Sequence, residues 1–160
     1  MISLIMKEMI KNADGNIKDI NHFLKVYCFA KMIGEQEHLD QEIQYILEVT
    51  AIVHDIACPL CRKKYGNSQG HYQEIEGPTL VHQFLEPFHL KQSFIDRVAY
   101  IVGHHHTYQN IDGLDYQILI EADFLVNADE GHVSKEAIEK MKNNIFSTIT
   151  GIQLLESIYY

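Results

Sequence analysis

Apolar positions recur every three to four residues along most of this chain, the period of a helix that buries one face. Residues 2–11 form a short apolar-faced segment, and Asn12-Ala13-Asp14-Gly15-Asn16 reads as a turn. A helix is predicted from about Ile20 to Ile33, with His22, Val26, Phe29 and Ile33 as its inward stripe and Gly34 at its C-terminal cap. The next helix runs from about Leu39 to Ile56. Ile43, Ile46, Leu47, Thr50 and His54 share one of its faces, and Pro59 ends it. Residues 58–76 are polar, contain Gly66 and Gly70, and read as a long excursion of the kind that often carries function. Pro78 is expected in the first turn of a helix that reaches about Leu85, where Pro87 interrupts it. A helix over 92–106 presents Phe94, Val98, Ile101, Val102 and His105 on one face. After a turn at Asn110-Ile111-Asp112-Gly113, a helix from about Tyr116 to Ala128 carries one buried-looking acid, Asp123. Ser134 caps a last helix running from Lys135 toward the terminus, with Gly151 as the place where it would kink or divide. Strand alternation and internal repeats are missing. The expectation is an all-α fold, a single compact domain over residues 1–160 with six or seven helices.

Composition narrows the function classes. The 160 residues are 46% hydrophobic, enough for one domain with a real core. A net charge of −9 without long basic patches excludes a broad surface for long nucleic acid. A small phosphate remains compatible, because a bound cation reverses the local sign. No stretch approaches the roughly 20 apolar residues of a membrane span, and the N-terminal segment lacks a small-residue cleavage signal, so cytoplasmic residence is expected. Cys58-Pro59-Leu60-Cys61 has redox or zinc spacing. Neither a flanking β-α-β pattern nor a second cysteine pair accompanies it, so these are read as local thiols.

Ten histidines are the oddity, and several interrupt apolar, helix-periodic segments where a lone polar ring is costly. His22, His54, Asp55 and Asp123 stand out. Adjacent helix positions point roughly 100° apart, so His54 and Asp55 can share one ion only with help from other helices. One histidine or one aspartate in a helix is ordinary. Two imidazoles and two carboxylates together suit Mn, Fe, Zn, Ni or Co, and match an all-oxygen calcium cage poorly.

Taken in order, these residues resemble the HD superfamily of metal-dependent phosphohydrolases, all-helical proteins named for a histidine–aspartate doublet. INHFLKVYCFAKMIG resembles the first-histidine helix, ILEVTAIVHDI the doublet helix and QILIEADFLVN the last-aspartate helix, over roughly residues 20–127. The resemblance implies His22, His54, Asp55 and Asp123 as metal ligands. Members with two metals place further histidines between the doublet and the last aspartate. Within His104-His105-His106-Thr107, the match falls on His105 and His106, leaving His104 to solvent or a partner. His82 follows Gly77, whereas the family's histidines precede that glycine. The stretch in that place is His71-Tyr72-Gln73-Glu74-Ile75-Glu76, so His71, Glu74 or Glu76 would have to complete a second site. This departure favours one ion over two.

The implied activity is hydrolysis of a small phosphate ester, with a nucleotide or dinucleotide among the candidates, by attack of metal-activated water. Asp55 serves as ligand and candidate proton acceptor. Arg62, Lys63 and Lys64 form the one tight basic cluster, and Lys64 is the residue that matches a basic position common in the family. His105 or His106 could bind phosphate, position water or donate a proton. Tyr65, Tyr72 and Tyr108 could line a base pocket. A glycine-rich phosphate loop is not found. Two other classes stay open: a non-catalytic regulatory domain that binds metal or nucleotide, and an oxygen-using di-iron enzyme, which needs the second metal. The apolar C-terminal GIQLLESIYY could pack on the core or on a second subunit, so a monomer and a homodimer both stay open.

Overall fold

A computed structural model describes residues 1–160 as nine α-helices and one 3-10 turn, with no strand. The helices are α1 (Ile2–Asn12), α2 (Ile17–Gln36), α3 (Gln41–Val53), α4 (Cys58–Tyr65), α5 (Gly70–Leu85), α6 (Gln92–Val102), α7 (Leu114–Glu130), α8 (Lys135–Asn144) and α9 (Ile149–Tyr159), with the 3-10 turn at Glu86–Phe88 after α5. The all-α class is as expected, but nine helices replace six or seven.

Two regions account for the difference. Residues 58–76 are helical where a polar excursion was expected. Pro59 lies in the first turn of α4, where a missing N–H is an orphan anyway, so it opens a helix as well as closing one. Gly66, at φ +77°, ends α4 in the left-handed conformation. α5 then begins at Gly70, which places Pro78 inside the helix and not in its first turn. The second region is the C-terminal helix, which divides at residues 145–148 and not at Gly151. Thr148 caps α9 by accepting from Gly151 N–H at 2.9 Å. The carboxylate of Glu121 accepts from Ser147 N–H at 2.7 Å and Thr148 N–H at 3.0 Å.

The core sits where α3 and α7 meet. Every residue from Ile46 to Val53 of α3 is buried, and so is every residue from Asp115 to Asp123 of α7. α2 packs on both, α6 and α1 cover α3, and α5 lies on α6. Complete burial explains why these two helices read as continuous apolar runs. It also explains why Gln41–Tyr65, taken as one run, has the length and composition of a membrane span, which the sequence pattern did not suggest; 67% of that apolar window is buried inside the fold. α5 approaches α6 closely because both are small at the contact. A Cβ on Gly77 would come within 2.7 Å of Val102 Cγ1, and one on Gly103 within 2.9 Å of the Pro78 ring. The C-terminal segment packs on its own core through Gly151 and Leu155, while Ile149, Ile158 and Tyr160 stay exposed.

Candidate metal centre

Three elements deliver four polar side chains to one point. α2 is set by Asn16, whose side chain accepts from Asp19 N–H at 3.1 Å, and carries His22 in its second turn. His54 and Asp55 lie just past the last residue of α3, in the bend that leads to α4. That bend lets adjacent residues turn toward the same place, which a straight helix would not. Asp123 projects from the middle of α7.

His22 Nε2 lies 3.1 Å from Asp123 Oδ1, 3.2 Å from His54 Nε2 and 3.3 Å from Asp55 Oδ2. His54 Nε2 is 3.5 Å from Asp123 Oδ1 and 3.6 Å from Asp55 Oδ2. Bonds of about 2.1 Å to a single ion, opened at about 90–109°, separate neighbouring donor atoms by about 3.0–3.4 Å. The three distances from His22 fall in this range and the two from His54 lie just above it, a spacing compatible with one ion among them.

Proton accounting gives the same answer. His54 Nδ1 faces Ala51 O at 2.8 Å, which can only accept, so Nδ1 carries the proton and Nε2 presents a lone pair. His22 Nδ1 faces Glu130 Oε2 at 2.9 Å, with the same consequence. Two imidazole lone pairs and two carboxylates then converge on a space that requires positive charge. A proton supplies it in one way. Burial alone would depress His22, but Asp123, Asp55 and Glu130 outweigh it and push its pKa up to about 9. Burial likewise works against the charged forms of Asp55 and Asp123, yet the surrounding imidazoles hold both below the usual carboxylate range. A divalent cation supplies the charge in the other way. The residues fit it: mixed N/O donors, each already oriented from behind.

A second cluster adjoins the first. Asp55 turns its other oxygen, Oδ1, toward His105 Nε2 at 3.5 Å, and His106 completes a group of three ligand-type side chains. His105 Nδ1 donates to Val102 O at 2.8 Å. The Nε2 atoms of both His105 and His106 are buried and meet no hydrogen-bond partner in the protein. Burial, with His105 as neighbour, pushes His106 down to about 4, so it is neutral at neutral pH.

The first cluster opens onto a cleft of about 630 Å³ that His22, Asp55, Asp123 and His106 line. The other candidates from the sequence lie elsewhere. Lys64 reaches Glu76 in an exposed ion pair and is absent from the cleft wall, where the basic residues are Arg62 and Lys18. Glu76 is taken up by Lys64 and Tyr65. Glu74 accepts from His106 N–H at 3.0 Å and Thr107 Oγ1 at 2.9 Å, holding the turn that carries the histidines. His71 is exposed and rests on Tyr72. His104, in the turn after α6, bonds Tyr100 O of that helix, and His82 sits 3.7 Å from Asp96 on the outer surface of α5.

Sequence reasoning missed Glu130, which orients His22, and Asn127, which donates to Asp123 Oδ1 at 2.9 Å. Their spacing from Asp123, seven and four residues along one helix, places all three on one face and was the available signal. Gln73 and the Asp19–Arg62 ion pair at the cleft wall were also missed, and nothing in their local sequence marks them.

These features define a class, an all-helical protein with a histidine–carboxylate centre suited to a divalent ion at the wall of an open cleft. The family model of the HD domain matches residues 19–141, and the chain belongs to the HD domain family, a family of metal-dependent hydrolases. A search of curated proteins finds no match. Among solved structures, the chain is similar to a predicted HD superfamily hydrolase from an uncultured Thermotogales bacterium. That match has a TM-score of 0.68 and 25% sequence identity, and covers 99% of this chain and 83% of the other.

Proposed function

We propose that this protein is a metal-dependent phosphohydrolase that cleaves a small phosphate ester. The observation that carries the reading is the convergence of the His22 and His54 Nε2 lone pairs with carboxylate oxygens of Asp55 and Asp123 at the wall of an open cleft. These four residues would hold a divalent cation of the Mn, Fe, Zn, Ni or Co type, which supplies activation of water at neutral pH and polarisation of a phosphoryl oxygen. The reaction adds water across the ester P–O bond, releasing an alcohol and inorganic phosphate.

The chain's own groups have distinct parts in it. Asp55 faces both histidine clusters, Oδ2 toward His22 and Oδ1 toward His105, so one oxygen would hold the ion while the other is placed to accept a proton from the attacking water. His106 lines the cleft in neutral form, so it is not the acid of the reaction. His105 is buried behind the wall, with Nε2 3.5 Å from Asp55 Oδ1. Arg62 and Lys18 offer the positive charge that a phosphate needs at the cleft wall, in the part first given to Lys64.

The test is release of phosphate from phenyl phosphate and from a panel of biological phosphate esters, by protein loaded with Mn²⁺ or Co²⁺. Turnover is expected, and its loss in Asp55→Ala. A folded, metal-loaded protein that turns over none of the panel would leave a regulatory binding domain as the better reading.

A further inference from the structure

α7 supplies one of the proposed ligands and stands behind two. Asp123, Asn127 and Glu130 follow one another at helical spacing, and all three line the cleft. Glu130 accepts from the far nitrogen of His22, and Ala51 O accepts from the far nitrogen of His54. Asn127 has the matching relation to Asp123. Its Nδ2 donates to Asp123 Oδ1 at 2.9 Å. A carboxylate oxygen only accepts, so this contact identifies the nitrogen end of the amide. The oxygen it reaches is the one that lies 3.1 Å from His22 Nε2 and 3.5 Å from His54 Nε2. Each carboxylate oxygen offers two lone pairs. The amide takes one and leaves the other for an ion among the imidazoles.

Packing does not account for an asparagine here. Between Asp115 and Ala128 of α7, Asn127 is the one exposed residue. Asparagine is a poorer helix former than alanine, because its short amide competes for backbone groups. A hydrogen bond between side chains four apart on a helix surface adds little to stability. The one side-chain bond that Asn127 makes within the protein is to Asp123. The residue costs the helix something and serves the carboxylate.

We infer that Asn127 is a positioning residue of the metal centre, holding Asp123 so that Oδ1 presents its remaining lone pair to the ion. This rests on the metal-centre part of the phosphohydrolase reading and adds a determinant of ion affinity to it. The part is orientation and not coordination, because the amide nitrogen that faces Asp123 donates and has no lone pair to give.

The experiment compares the whole protein with Asn127→Ala, and with Asn127→Leu should the alanine variant fail to fold. Two quantities are measured: the affinity of the folded protein for Mn²⁺ and Co²⁺ by chelator competition, and the urea midpoint of chelator-stripped protein. Affinity is expected to fall by about tenfold or more. The midpoint of stripped protein is expected to stay at or above that of the unchanged chain, since both replacements are better helix formers. A smaller loss of affinity in a folded variant overturns the inference and leaves the ligand set and the phosphohydrolase reading standing. The reverse pattern, a lower midpoint with unchanged affinity, is what a merely structural pair gives, and overturns it as well. An unchanged chain that binds neither ion removes the metal centre and this inference with it. Neither measurement depends on turnover, so a failure to hydrolyse any ester bears on the reading of function alone.

Discussion

His22 is held from both ends. Its Nε2 faces the other three ligands, while its Nδ1 donates to Glu130, which is itself paired with Lys25 at 2.6 Å. Groups behind a ligand typically contribute 10–100-fold to metal affinity through orientation and basicity. Glu130→Ala should therefore weaken metal binding by about 10–100-fold, as read by chelator competition, with the fold intact by circular dichroism. The same histidine gives a pH signature. Its folded pKa of about 9 lies above the ordinary 6.5. The stability that its proton confers is thus complete below pH 6.5 and is lost as pH rises through 9. Asp55 and Asp123 have the opposite sign: their contribution is present above the ordinary 3.8 and is lost only as pH falls through their lowered folded values. The Tm of chelator-stripped protein should then fall between pH 6.5 and 9. Metal-loaded protein should gain over the same interval, because the ion and the proton compete for one lone pair. A metal-free trace that stays flat in this window would mean that His22 does not hold the proton.

At the scale of elements, α4 and α9 are placed by different devices. α4 carries three cations in a row, and only its roll about its axis decides which one meets the cleft. Arg62 lines the wall, tied to Asp19, while Lys64 points to Glu76. Arg62→Ala should raise KM for a phosphate ester by about tenfold, whereas Lys64→Ala should change kcat/KM by less than about twofold. Further on, α9 is pinned by the buried Glu121 carboxylate, which accepts from Ser147, Thr148 and Gln117. Gly151 makes room for that carboxylate: a Cβ there would fall inside the contact distance of Glu121 Oε2. Gly151→Ala should cost about 3 kcal/mol in urea unfolding, as overpacking at a tight contact does. These cases show what the sequence could and could not reveal. α2, α3, α6 and α7 were legible because each buries a wide face, and the four proposed ligands stood out as polar interruptions of apolar runs. α4 and the first half of α5 were not, because their outward faces are polar and Gly66, Gly70 and Pro78 imitate loop punctuation. The facing of Asp55 toward His105, and the choice of Arg62 over Lys64, depend on how helices far apart in sequence are set against each other. No local pattern encodes that.

For the molecule as a whole, the proposed ligands span His22 to Asp123, so one ion bound there would tie together α2, the α3–α4 bend and α7. A ligand that binds only the folded chain stabilises it by about 2.7 kcal/mol at a hundred times its Kd. Mn²⁺ or Co²⁺ at that excess should raise the urea midpoint accordingly, and a chelator should reverse the gain; in Asp123→Ala the midpoint should no longer respond to metal.

α8 stands apart from this clasp. Ile138 is its one buried residue, and no ligand comes from it. In deuterated solvent its amides, from Lys135 to Asn144, should exchange well ahead of those in α3 and α7, whether or not metal is bound. A breathing edge is the expected consequence: opening of this helix would leave in place the histidines and aspartates proposed to hold the ion.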